Sequence, residues 1–308
     1  MKRNKTILIA ILVALLAVYL VLRLKGPEER LRPVYDLDSL SIESIEVFDQ
    51  ANTLKFTKNK GVWYLTEPVK WPADTLRINA LFRNVFTAKY SRTPMGEGLQ
   101  ALKRFELQDS TALHIVVGGK GKKIHTMFSN MGNPYDYFRY HGSNEVYQIK
   151  TKVYNIFGTD LPNWRSPHVV NYYEDELLVV EVASKNNNYK LTRKGYDWHY
   201  QNARESFQIP ANNLAIMKVV SILANLDTYI FIDDGEQKML ERFKNPDWTV
   251  KLTLSNNRKQ ELKFAKFNDQ QFVLMVDNDP SVLFIVANDS VFRFTRNADT
   301  FKLKGYGL

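Results

Sequence analysis

"LKFTKNKGVWYL" at residues 54–65 and "YKLTRKGYDWHY" at residues 189–200 align without a gap, Trp63 falling on Trp198 at an offset of 135. The echo runs on in both directions. "IEV" at 45–47 matches "VEV" at 180–182 at that same offset. After three inserted residues, "PADTLRINALFRNV" (72–85) matches "PANNLAIMKVVSIL" (210–223) at offset 138. "LKRFELQD" (102–109) then matches "LERFKNPD" (240–247), and "VYNIF" (153–157) faces "VFRFT" (291–295), both at 138. An offset kept this far predicts a duplicated module.

Each copy reads in the same order. Alternating segments such as "IESIEVF", "LKFTK" and "VWYLT" have the period of two that places apolar residues on one face of a strand. An amphipathic helix follows. Asp74 is placed to cap it, and Ile78, Leu81, Phe82, Val85 and Phe86 form its apolar stripe. In the second copy Asn212 or Asn213 is the cap, and Ile216, Val219, Val220 and Leu223 form the stripe. Further strands come next: "ALHIVVG", "KKIHTMF", "YFRYHG" and "EVYQIK" in copy one, then "TVKLTLS", "QELKFAKF", "QFVLMVD" and "VLFIVA" in copy two. Strands, one helix, then strands give an α+β fold with antiparallel sheets. The expected layout is a membrane anchor at 1–25, a stalk at 26–35, a first module at 36–160, a linker at 161–176 and a second module at 177–308. Trp63 and Trp198 are expected as equivalent buried aromatics.

With 308 residues, 44% hydrophobic and 24% charged, the chain can build two cores. It contains no cysteine, which excludes disulfides, thiol nucleophiles and cysteine zinc sites. The net charge is +9, but the first 32 residues alone hold seven Lys and Arg against two Glu. More than half of the excess therefore flanks one apolar segment, as charges that contact lipid headgroups do. A nucleic-acid binder concentrates its charge on the folded domain, so no nucleic-acid partner is expected.

That segment is "TILIAILVALLAVYLVL", Thr6 to Leu22. Its apolar core, Ile7 to Leu22, would span about 24 Å as a helix at ~1.5 Å per residue, enough for a thin bilayer. No small-x-small cleavage signal follows it, so an uncleaved anchor is preferred to a signal peptide. Basic residues flank both ends, and charge counting alone does not orient it. A short basic N-terminus before a first apolar helix stays inside, which places the bulk of the chain outside the cytoplasmic membrane.

Local motifs offer little chemistry. "GGKGKK" (118–123) has no Ser or Thr after its Lys and runs on as a strand, so it reads as a hairpin turn and not a phosphate loop. If that turn is centred between Gly119 and Lys120, His114 and His125 lie directly opposite each other. Two histidines lack the three or four ligands a metal site needs, and a structural pair is expected. His141, His168 and His199 read as isolated. "YYEDE" and "DDGE" read as solvated acidic turns, and no Gly-x-Ser-x-Gly elbow exists. No catalytic residue, cofactor site or metal site is expected. "YDYFRYH" places Tyr135, Tyr137, Arg139 and His141 on one strand face. An exposed ladder of this kind could receive a protein partner or stack on an envelope glycan or anionic polymer, and "QFVLMVD" in copy two lacks its character.

Trp63-Tyr64-Leu65-Thr66-Glu67-Pro68, then Pro72-Ala73-Asp74 opening a helix, then "YFR" before "VYQI", resemble a bacterial envelope family known as domain of unknown function 4340. The resemblance covers residues 1 to about 300 and departs in copy two, where Asn212 stands in place of the Asp. It implies one N-terminal membrane helix and a duplicated α+β region. Its members are often encoded beside ABC-transporter components of the gliding-motility type, which implies a transporter permease or ATPase as partner. It implies no catalytic residues. The expectation is a non-enzymatic, extracytoplasmic scaffold or accessory subunit, tethered in the inner membrane.

Overall fold

Lys60 and Gly61, the turn of the opening motif, have φ of 48° and 86°. Positive φ at both central residues is the type I′ geometry that matches the twist of two antiparallel strands. It joins Thr53–Asn59 (β2) to Val62–Glu67 (β3), and Ser44–Phe48 (β1) pairs with the other side of β2. Alternation then does what it predicts: Ile45, Val47, Leu54, Phe56 and Leu65 are buried.

The computed structural model describes residues 11–20, 31–129, 131, 135–233, 235 and 237–302. The chain divides into two compact units, Met1–Asp160 and Leu161–Leu308. In the first unit β3 leads to helix α1 (Thr75–Leu81), continued by one wider turn over Phe82–Phe86, and then to α2 (Leu99–Arg104). Four strands follow, Leu113–Gly119 (β4), Lys122–Phe128 (β5), Asp136–Tyr140 (β6) and Glu145–Ile149 (β7). The sheet runs β3-β2-β1-β4-β5-β6-β7, every neighbour antiparallel. Asp74 caps α1 by accepting the Arg77 N–H at 2.8 Å, and Ile78, Leu81, Val85 and Phe86 are buried beneath it.

In the second unit the strands are Leu177–Ala183 (β8), Tyr189–Lys194 (β9), Asp197–Gln201 (β10), Trp248–Leu254 (β11), Lys259–Lys266 (β12), Gln271–Val276 (β13) and Val282–Ala287 (β14). Helix α3 (Leu214–Ala224) lies between β10 and β11, capped by Asn213, and α4 (Asn288–Phe294) follows β14. The order is β10-β9-β8-β11-β12-β13-β14, antiparallel throughout. Strand for strand this is the order of the first unit. Registers agree too: Lys58 opposes Trp63 as Arg193 opposes Trp198, and Ile45 opposes Val117 as Val180 opposes Leu252.

Several expectations need correction. The offset is not held at 138: the shared pairing returns it to 135 at β4 and β11, because Ser110 to Ala112 have no counterpart before β11. The stretch 291–295 falls largely in a helix, α4. Trp198 is buried, but Trp63 is only half-buried, its ring 5.9 Å from that of Phe82. Residues 161–176 are not a free connector. Trp164 and Arg165 are buried there, and His168–Asn171 pairs with Asn225–Asp227. The end of the expected stalk is likewise built in, since Arg32–Pro33 pairs with Lys89–Tyr90, and Val34 and Tyr35 are buried.

Residues 11–20 of the expected membrane segment are helical; the rest of Thr6–Leu22 lies outside the described residues. Among the described residues no helix is long and apolar enough to cross a membrane.

Candidate functional site

The 118–123 hairpin sets the geometry of the histidines. Lys120 and Gly121 both have positive φ, 48° and 75°, so they form the two-residue turn and Gly119 opposes Lys122. The expected centre between Gly119 and Lys120 is thus displaced by one residue. His114 opposes Met127, and His125 opposes Val116. The two histidines still share a face because the shift is two residues on the partner strand, and their rings meet diagonally, His114 Nδ1 to His125 Nε2 at 2.9 Å.

The direction of that bond follows from its neighbour. His114 Nε2 lies 2.9 Å from the Asp109 carbonyl oxygen, which can only accept. In a neutral ring Nδ1 of His114 is then the acceptor, and His125 must donate from Nε2. Phe48 stacks on His114 from β1 with centroids 4.4 Å apart, and His141 stacks on His125 at 4.4 Å. His141, read from sequence as isolated, ends an aromatic row of four rings. His168 and His199 are also engaged, with Asp227 Oδ1 and Ser206 Oγ, each at 2.7 Å. Among the described residues no group of three His, Asp or Glu side chains could hold a metal.

Burial, then the neighbouring His141, His114 and Arg139, lowers the His125 pKa from its ordinary value to about 4. The sign is that of a base kept neutral by the fold. Between about pH 6.5 and pH 4 the unfolded chain binds the proton and the folded chain does not, so stability is complete above that window and falls as pH drops through it. Because the ring is only half-buried and screened by solvent, the expected loss is about 1–2 kcal/mol. Urea unfolding at pH 7 and pH 4.5 measures it. A His125→Gln variant with the same pH dependence as the parent would refute the assignment.

Arg139 was expected on an open strand face; it is 5% exposed. The loop after α2 covers it. Phe105, Leu102 and Leu107 pack with Met127 and Val146 on this side of the sheet, and Tyr137 lies against the Phe105 ring at 4.6 Å. The guanidinium is spent inside the unit: Nε donates to the Leu107 carbonyl at 2.7 Å, Nη1 to that of Ser143 at 3.1 Å, and Nη2 to the Asp109 carboxylate. Tyr135 stands exposed just before β6. Tyr135, Tyr137, Arg139 and His141 therefore do not form one exposed ladder. Non-local cover of this kind leaves no mark in the strand's own pattern.

What stays open is a cleft of about 610 Å³ at the end of the covered face. Gln108, Asp109, Asn144 and His141 line it together with Leu99 and Lys103, and Arg139 forms part of its wall. The second unit is built differently here. Position for position, Met275 opposes Lys263 where Arg139 opposes Met127, and Met275 joins an apolar cluster with Phe243. The corresponding sites of His114 and His125 carry Thr249 and Glu261. The polar network belongs to unit one alone.

The chain is thus an α+β protein of two antiparallel-sheet units, the first of which carries the buried Arg139 and a row of histidines beside a cleft. It belongs to the family described as Domain of unknown function (DUF4340), which matches residues 63–246 and so spans both units. No curated protein and no solved structure matches it.

Proposed function

We propose that the chain is a non-enzymatic, membrane-anchored scaffold or accessory subunit that docks on an ABC-type transporter or a related envelope assembly. The observation that carries the anchor is the helix at residues 11–20. Its Leu12, Val13, Leu15 and Leu16 are all more than half exposed, Leu12 at 68%, on a turn-by-turn apolar surface left uncovered by the described residues. Lipid is the solvent such a surface fits, and the Lys and Arg residues at 2, 3, 5, 23 and 25 in the sequence flank it on both sides. The single pass leaves both units on the extracytoplasmic side. The transporter as partner rests on the resemblance of the family's members, not on geometry.

Duplication of one α+β module accounts for the two units. Their common strand order and common hairpin register support it, because unrelated sheets would not share seven strand positions. A tether and two rigid sheets suit a protein that holds a position beside a membrane complex. Its chemically most distinctive residues, Arg139, His114 and His125, are spent on internal bonds, which favours a structural role for them.

The test is affinity purification of the tagged full-length protein from membranes in mild detergent, with mass spectrometry of co-eluting proteins. The expected result is recovery of a transporter permease or ATPase, lost when residues 1–25 are replaced by a soluble secretion signal. Elution of the bare protein from membranes would overturn the docking reading.

A further inference from the structure

The second unit carries a surface that the scaffold reading does not use. Two adjoining clefts, of about 710 and about 600 Å³, have Thr295 and Arg296 as common lining residues and make up a two-part groove. Lys185, Arg204 and Arg296 line the first part, and Lys218 and Arg293 the second. Among the described residues none of these five side chains makes an ion pair or a hydrogen bond. The acidic residues of the first part, Glu205 and Asp299, share one ammonium group. Lys302 holds Glu205 at 2.5 Å and Asp299 at 3.4 Å, which leaves Asp289 as the one unpaired lining acid among the described residues. Like charges gathered in one concave surface raise the local potential and favour an anion there.

The walls are fixed, not incidental. Asn187 Nδ2 donates to the Arg296 carbonyl at 2.9 Å and ties the 185–188 turn to the segment after α4. Asn202 accepts two backbone N–H groups at 2.8 Å and holds the turn that presents Arg204. Asn186 adds an exposed amide at the mouth, a donor and acceptor in one group. The second part is also lined by the indole of Trp248 and the ring of Phe292, which is 52% exposed.

We infer that this groove binds an anionic polysaccharide, a chain of sugars carrying carboxylate or phosphate groups. Each component of the groove has its counterpart in that ligand. Guanidinium groups bind carboxylates or phosphates in bidentate fashion, amides match neighbouring hydroxyls, and aromatic faces stack on the apolar C–H face of a pyranose ring. Nucleic acid fits less well, because its dense phosphate charge is met by broadly basic domains, and most of this chain's excess charge lies before residue 33. The groove shares no residue with the helix at 11–20, and its test reads no transporter, so either reading can fail while the other stands.

Isothermal titration of the full-length protein in detergent, with polygalacturonate at low salt, tests it. Dextran serves as the neutral comparator and a single-stranded oligodeoxynucleotide of matched charge as the other polyanion. Saturable binding to polygalacturonate is expected, weakening as salt rises and absent with dextran. An Arg204→Glu/Arg296→Glu double variant should bind at least about tenfold more weakly, since each reversal removes one screened attraction and adds one repulsion. Trp248→Ala should weaken binding by about threefold or more through lost stacking. Arg92→Glu, an exposed change in unit one, should leave it unaltered. Unchanged binding by the double variant, with a melting curve that shows it folded, would overturn the site. So would tighter binding of the oligonucleotide, or equal binding of dextran.

Discussion

Replacing Phe138 by alanine is expected to remove about 4 kcal/mol of stability, the largest loss anticipated for a single side chain in unit one. Phe138 sits on β6 with no exposed surface, at the hub of an aromatic cluster. Tyr90 meets it edge-on at 5.1 Å between centroids, Tyr140 at 5.6 Å, Tyr147 at 5.7 Å and Phe128 at 5.9 Å. Such pairs add roughly 0.5–1.5 kcal/mol beyond area burial, and four rings, three of them on other strands, cannot collapse together into the space left. Phe138→Leu refills most of that volume and should cost no more than about 1.5 kcal/mol. Urea titrations of both variants, followed by fluorescence, compare the two. A Phe138→Ala midpoint shift equivalent to less than about 1 kcal/mol would show that the cluster is not packed as described.

Arg139→Ala is expected to cost about 3 kcal/mol, and Arg139→Met only about half of that. The alanine loses the bonds to the Leu107 and Ser143 carbonyls and leaves the space of a buried side chain empty. Methionine fills the void, and the same position of unit two shows that the sheet accepts it, since Met275 packs there with Phe243. It leaves the Leu107 carbonyl without its 2.7 Å partner, which is the residual cost. The charge itself adds little, because its partner Asp109 is 69% exposed and can be hydrated. Equal losses for the two variants would mean that the charge and not the packing dominates.

These residues also mark where sequence reasoning stops. The strands and the helix stripes were legible because their signal is local: a period of two, a period of 3.6, and the capping side chains of Asp74 and Asn213. The hairpin register was off by two residues because "GGKGKK" offers several centres, and only backbone torsion shows that Lys120 and Gly121 take the turn. Arg139 alternates correctly with its neighbours, yet the segment that buries it lies about thirty residues earlier in the chain. The groove of unit two was missed for the same reason. Its cations come from residues 185, 204, 218, 293 and 296, which no spacing rule links. Pro162 and Pro167 mark 161–176 as a linker, and the units do divide at its start, but nothing local shows that Trp164 between the prolines is fully buried.

The pairing at the centre of each sheet has a consequence for synthesis. β1 is flanked by β2, made at once, and by β4, made much later; β8 stands in the same relation to β9 and β11. Phe48 is separated from Gly119 by 71 positions, and Ala183 from Leu254 by the same 71. At roughly 5–20 residues per second, the inner edge of β1 stays open for about 4–14 s while the rest of the meander, the helices and β4 are made. An open edge is a template for wrong pairing, and the wait occurs twice, with like sequences in each interval. β4 and β11 are the strands that each sheet is waiting for. When the second meander emerges, a first unit that has already received β4 has no free inner edge left to offer it. The ribosome's pace is thus part of what keeps two copies of one sheet from exchanging strands.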